Sequence, residues 1–118
     1  MIERFEQLEV WQKAHALVLQ VYKTTVGIPS DQKYGLISQM QRAAVSIPAN
    51  IAEGFKRRSG PDKIHFYNMA QGSLEELRYY FILCRDLAYK IEYDPMADKA
   101  DEISRMLYGL IHSVRSQK

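Results

Sequence analysis

"RAAVSIPANIAEGFKRRSG", residues Arg42 to Gly60, decides how many helices this chain has. The stretch is alanine-rich and apolar at every third or fourth position, which spells a helix, yet Pro48 stands at its middle. A proline there has no N–H to give the Ala44 carbonyl, and its ring crowds that carbonyl. The steps from Ile47 to Ile51 to Phe55 nevertheless keep the phase set by Leu36, Met40, Ala43 and Ala44. That continuity predicts one helix that bends at Pro48 and carries on. A break, with Ser46 opening a new short helix, is the alternative.

Working outward, Ser30 or Asp31 is placed to cap this second helix. Before it, Trp11, Ala14, Val18, Val21, Tyr22 and Thr25 make the apolar face of a first helix, with Glu9, Gln12, Lys13, Gln20 and Lys23 mostly opposite. Gly27 followed by Pro29 is the expected order for its stop. After Arg58, Ser59 is set to cap a third helix, with Pro61 in its first turn and Asp62 at the positive end of the dipole.

The third helix has the most regular pattern. Tyr67, Ala70, Leu74, Leu77, Phe81, Cys84, Ala88 and Ile91 alternate steps of three and four, the seam of helices crossing at a shallow angle. Drawn from Pro61 to Lys90, it would be about 45 Å long at 1.5 Å per residue. Asp94 and Pro95 then supply a cap and a first-turn proline for a fourth helix along Met96, Ala100, Ile103, Leu107, Leu110 and Val114. Four long helices with short connections predict an all-α, antiparallel up-and-down four-helix bundle, kinked at Pro48 and filling residues 1–118 as one domain.

Composition agrees with one unit. The chain has 118 residues, 47% of them hydrophobic, enough for one core and too few for two ordinary domains. The first residues, MIERFEQLEVWQKAH, are charged throughout, unlike a signal peptide, and no run approaches the roughly 20 apolar residues of a membrane helix. The single cysteine, Cys84, falls among apolar neighbours, as a buried structural thiol does. A cytoplasmic protein with no membrane partner is the expectation.

Catalytic and metal patterns are missing from the sequence. His15, His65 and His112 belong to three different helices, and no HxxxH or ExxH pair links them. No P-loop, GxGxxG or GxSxG occurs, and Glu75, Glu76, Asp98, Asp101 and Glu102 are most simply solvated charges. We therefore expect no catalytic residue, no metal and no cofactor: a protein that is not an enzyme.

Three surfaces remain. Opposite the apolar face of the second helix, Gln39, Arg42, Ser46, Asn50, Glu53 and Arg57 recur at helical spacing. This stripe is a solvated face or a polar contact, and Ser46 and Asn50 could bond backbone left unpaired by the proline. In "YYFILC", Tyr79 to Cys84, the third helix is apolar nearly all round, and Tyr79, Tyr80, Ile82 and Leu83 exceed what one core needs. Contact between subunits would absorb them; arginine stems and neighbouring helices of the same chain are the alternative.

Lastly, Lys56, Arg57 and Arg58 form a cationic run, with Lys63 one turn into the next helix. The net charge is only +2, from 16 basic and 14 acidic residues, so the distribution and not the total must carry any nucleic-acid reading. Repeated around a ring of subunits, such a run becomes a positive band able to meet a polyanion. Arg105, Arg115 and Lys118, with no acid after Glu102, are a second, weaker basic set.

Three blocks carry a resemblance: "FEQLEVWQKAHALVLQVY" from Phe5, "YGLISQMQRAAVSIPANIAEGFKRRS" from Tyr34, and "FYNMAQGSLEELRYY" from Phe66. Together they resemble the four-helix bundle family of 23S rRNA intervening-sequence proteins, also labelled S23 ribosomal proteins, from Phe5 to about Leu110. SIPANIAEG with its upstream QxxRA is the most distinctive segment. The chain is similar also to the accessory variability determinant of diversity-generating retroelements. These resemblances imply a bacterial homopentamer with the proline-bearing helix intact, and Arg42, Ser46, Asn50, Glu53 and Gly54 match the family's central block.

The function expected is thus a homo-oligomeric, pentameric bundle that binds RNA or DNA through basic rims. Lys56, Arg57, Arg58 and Lys63 would contact phosphates, with Arg42 as a further candidate. The alternative is a scaffold or accessory subunit that receives a protein partner and touches no nucleic acid.

Overall fold

The computed structural model describes residues 1–117. Four α-helices dominate: α1 from Glu9 to Thr24, α2 from Ser38 to Lys56, α3 from Gly60 to Asp86 and α4 from Tyr93 to Ser116. Each helix packs on its two neighbours, and the ring closes through α1 and α4, so α1 stands diagonal to α3 and α2 to α4. The result is an up-and-down bundle 49 × 24 × 21 Å in extent. Among the described residues no helix is long and apolar enough to cross a membrane.

Pro48 does not break α2. The helix runs through it uninterrupted, and the proline ring is buried in the core between Ile47 and Ile51. Beside it, the Asn50 amide donates to the Ser46 carbonyl at 2.8 Å and to the Ser46 hydroxyl at 2.9 Å. This side-chain clamp spans the proline, although the carbonyl it serves is that of Ser46 and not the one at Ala44 that Pro48 leaves without its donor.

The seam of α3 is buried as its spacing predicts: Tyr67, Ala70, Leu74, Leu77, Phe81 and Cys84 all face the core. The helix stops earlier than that spacing suggests, at Asp86, about 40 Å from its start at 1.5 Å per residue. Ala88 and Ile91 therefore leave the seam. Ala88 adopts φ +61° while its N–H bonds the Arg85 carbonyl and the Tyr89 N–H bonds the Cys84 carbonyl. Those two bonds make a Schellman stop, here with alanine where glycine is usual.

Other ends also differ from the pattern. Neither Ser30 nor Asp31 caps α2; a 3-10 turn, Ser30–Gln32, passes into a π-turn, Lys33–Ile37, in which Gly35 leaves helical geometry. Helix α4 begins at Tyr93, one residue before the Asp94 expected as its cap. By contrast, Ser59 does cap α3, its hydroxyl accepting the Asp62 N–H at 3.1 Å. Gly27 ends the first helical segment for a tertiary reason, since a methyl there would lie 2.2 Å from the Lys90 carbonyl oxygen. On α1 the buried face is Val10, Ala14, Leu17, Val18, Val21 and Thr24, which puts Tyr22 outside. Cys84 is fully buried, with its thiol 3.7 Å from the Met40 sulfur.

Candidate nucleic-acid interface

The corner between α2 and α3 contains only Arg57, Arg58 and Ser59, so its cations are held on a very short turn. Their roles differ. The Lys63 ammonium folds back to donate to the Phe55 carbonyl at 2.7 Å and to the Gly54 carbonyl at 3.4 Å. It thereby supplies a donor to the Phe55 carbonyl at the end of α2 and a second one to the Gly54 carbonyl, which also accepts the Arg57 N–H, and burial holds its pKa below the ordinary lysine value. Arg57 is paired with Glu53 one turn back and lies over the Phe66 ring, 4.6 Å from its centroid. Lys56 and Arg58 are exposed and have no acidic partner among the described residues.

A second cationic element arrives from the far end of the sequence. Gly60 packs against Val114, with a methyl on the glycine due 3.4 Å from Val114 Cγ1. The last turn of α4, with exposed Arg115, therefore lies beside the α2–α3 corner. Lys118 lies outside the described residues. Arg105 sits ten residues before Arg115, about 15 Å along the helix, so the basic set of α4 is not all at one end.

The N-terminal turn Phe5–Gln7 closes the same end. Between it and α2 opens a cleft of about 590 Å³, lined by Arg4 and Lys56 but also by Glu3, Glu6 and Glu53, with the Phe5 and Phe55 rings between them. Three carboxylates against two cations make the cleft itself a poor cradle for phosphate. Lys56 lines the cleft, and the cationic surface continues outside it on Arg58 and Arg115.

Arg42 does not belong to this end. Fourteen residues separate it from Lys56 on one helix, about 21 Å. It stands between two shallow hollows, one shared with Tyr22 and Val45, the other with Gln39, Ser73 and Glu76. Two residues of the polar stripe are used internally, while Gln39, Arg42, Glu53 and Arg57 are exposed: the Ser73 hydroxyl donates to that of Ser46 at 2.8 Å, tying α3 to α2, and Ser46 is held in turn by Asn50. Such bonds need two helices in place, which spacing on one helix cannot reveal.

On α3, Tyr79 is 57% exposed and Ile82 is also exposed, whereas Leu83 is half-buried and Tyr80 packs partly on the core. The Tyr80 hydroxyl donates to Glu76 at 2.7 Å, and that bond raises the pKa of the phenol. Sequence reading missed a further apolar surface, where Leu19 and Tyr22 of α1 and Val26 of the 3-10 turn Thr25–Gly27 face solvent. The signal was present as a 3,4 spacing, but it competed with the adjacent and better-populated core face of the same helix. Among the described residues no three His, Cys, Asp or Glu side chains gather as metal ligands.

A crystal structure of a protein with unknown function from the S23 ribosomal protein family, from Bacteroides thetaiotaomicron, is similar with a TM-score of 0.79 at 25% identity. The likeness covers 86% of this chain and 97% of that one. No curated protein matches. Residues 6–109 match the family described as 23S rRNA-intervening sequence protein, a span that takes in α1, α2 with Pro48, α3, and α4 as far as Gly109. The chain therefore belongs to the 23S rRNA-intervening sequence protein family.

Proposed function

We propose that this protein is a non-enzymatic homo-oligomer, a pentamer, whose cationic ends bind the phosphate backbone of RNA or DNA without reading its sequence. The observation that carries this reading is that Lys56 and Arg58, from the middle of the chain, and Arg115, from the end of α4, lie at one end of the bundle. Exposed cations with no acidic partner are those that release counterions when phosphate binds. In this reading Lys56 and Arg58 make the direct contacts. Arg57 and Lys63 contribute charge while holding the corner, and Arg42 lies too far away to join them. Multiplying a weak patch around a ring turns it into a useful grip.

The experiment is a salt titration of binding to single- and double-stranded oligonucleotides. Wild type should weaken steeply with salt, and Lys56→Ala with Arg58→Ala should bind less tightly, with a slope shallower by about 1 for each phosphate contact removed per complex. Unchanged affinity removes the site. Sedimentation should give five protomers of 13.7 kDa, and a lone protomer at micromolar concentration removes the ring. A protein-interaction scaffold is the second reading, favoured by the hollow of about 290 Å³ beside Arg42, Ser46 and Glu76. Capture of a protein partner that survives nuclease treatment, together with no oligonucleotide binding, would select it.

A further inference from the structure

We infer that the outer face of α4 is a track for single-stranded nucleic acid, with Tyr108 as the platform on which a base stacks. The inference rests on the phosphate-binding reading above and narrows its substrate from any polynucleotide to a strand with unpaired bases.

Arg105, Tyr108, His112 and Arg115 step along α4 by three, four and three, and all four are exposed. They lie on the side of the helix away from the buried Ala100, Ile103, Leu107 and Ile111. The stripe is about 15 Å long from Arg105 to Arg115 and ends at the α2–α3 corner, where Val114 meets Gly60. No acid follows Glu102 in the chain. The two carboxylates at the start of the stripe are engaged elsewhere, Asp101 with Arg78 of α3 and Glu102 with Lys13 of α1. Neutral groups close the groove to α3: the Gln71 amide donates to the Ser104 carbonyl at 3.1 Å, and the Ser104 hydroxyl donates to Gln71 Oε1 at 3.3 Å. The flanking stretches of α3 and α1 contain one acid each, Asp62 and Glu9, and neither forms an ion pair with the stripe. Its two arginines thus face solvent with no acidic partner among the described residues.

Between them Tyr108 is 67% exposed. Other aromatic rings near cations are already covered: Tyr34 by Lys33, Phe66 by Arg57 and Tyr93 by Arg85. The Tyr108 ring has no stacked ring and no cation over it among the described residues. A bare ring between cations adds nothing to a contact with duplex phosphates, because the duplex keeps its bases stacked on one another. A single strand presents the flat face of each base, which stacks on an aromatic side chain whatever its sequence, while flanking cations hold the phosphates. The alternation of Arg105, Tyr108 and Arg115 along one face supplies both contacts in one line.

Fluorescence polarisation with the full chain compares a single-stranded oligothymidine with a duplex of equal length. Tyr108→Ala should bind the single strand about 5- to 150-fold more weakly, the range for losing one base stacked on an aromatic side chain, and bind the duplex as wild type does. Tyr108→Phe keeps the ring and should keep the affinity. Arg105→Ala should make the single-strand salt slope shallower by about 0.7 for each contact removed and leave the duplex slope unchanged. If circular dichroism shows lost helix in Tyr108→Ala, Tyr108→Leu, which keeps helix propensity and apolar bulk, replaces it. Unchanged single-strand affinity without the ring overturns the inference, as does equal weakening of both probes or a loss in Tyr108→Phe as large as in Tyr108→Ala. Each of these outcomes leaves the effect of Lys56→Ala with Arg58→Ala standing, whereas a wild type that binds neither probe overturns the phosphate-binding reading itself.

Discussion

Gly54 of α2 lies against the Tyr67 ring of α3 so closely that a methyl on the glycine would stand 2.6 Å from Cε1 and 2.9 Å from Cδ1. The next nearest atom, at 3.2 Å, is the Lys63 carbonyl oxygen, which is backbone and cannot swing away. Gly54→Ala gains helix propensity worth about 1 kcal/mol but must push the packed helices α2 and α3 apart, an overpacking cost of about 1–3 kcal/mol. Net destabilisation is expected in urea unfolding, and Tyr67→Leu in the same chain should recover some of the loss due to the methyl. A Gly54→Ala protein as stable as wild type would mean that α2 and α3 separate easily.

Ala88 offers the reverse experiment. It occupies the left-handed region at φ +61° with its side chain exposed, where a Cβ costs about 1 kcal/mol and glycine costs none. Ala88→Gly should raise stability by about 0.5–1 kcal/mol, less the extra entropy of glycine in the unfolded chain. Thermal unfolding of the two proteins side by side decides it.

Cys84 is enclosed and its pKa is raised by burial, so both access and thiolate content are low. Reaction with a disulfide reagent should be slow in the native protein and fast in denaturant, with an intermediate rate that tracks unfolding. Rapid native labelling would contradict the packing of the sulfur against Met40.

Alkaline pH should separate two opposed groups. Burial raises the Tyr67 pKa, so the folded state holds that proton longer than the unfolded chain does. Its contribution to stability is complete below the unfolded value of 10.0 and is lost as pH climbs through the raised folded value. Lys63 acts the other way. Its folded pKa lies below 10.5, so stability rises as pH passes from that lowered value to 10.5. Tyr67→Phe should therefore flatten or reverse the loss of stability above pH 10, measured by urea unfolding at stepped pH. An unchanged alkaline slope would show that the ring's hydroxyl is already solvated.

These residues also show how much the sequence disclosed. The core of α3 was legible because six buried side chains repeat at one spacing, and Pro48 was legible as an interruption without a change of phase. Ends were less so: the Schellman stop at Ala88 has no glycine to announce it, and the start of α2 depends on Gly35 in an irregular turn. At the site, the cationic run was plain in the sequence, but its division of labour was not. Lys63 reaches back across the corner to α2, and Arg115 comes from the end of α4, both through proximity that only folding creates.

The short corner has a further consequence for how the chain acquires its shape. Helices α2 and α3 share the most extensive contact in the molecule, yet only Arg57, Arg58 and Ser59 separate them, so loop closure costs this pair less than any other. The hairpin they form, clamped by the Lys63 ammonium, is expected to be the nucleus on which α1 and α4 later settle. Hydrogen exchange would then find the amides around Ile47, Ile51 and Leu74 the last to open, and earlier opening there than in α1 would place the nucleus elsewhere.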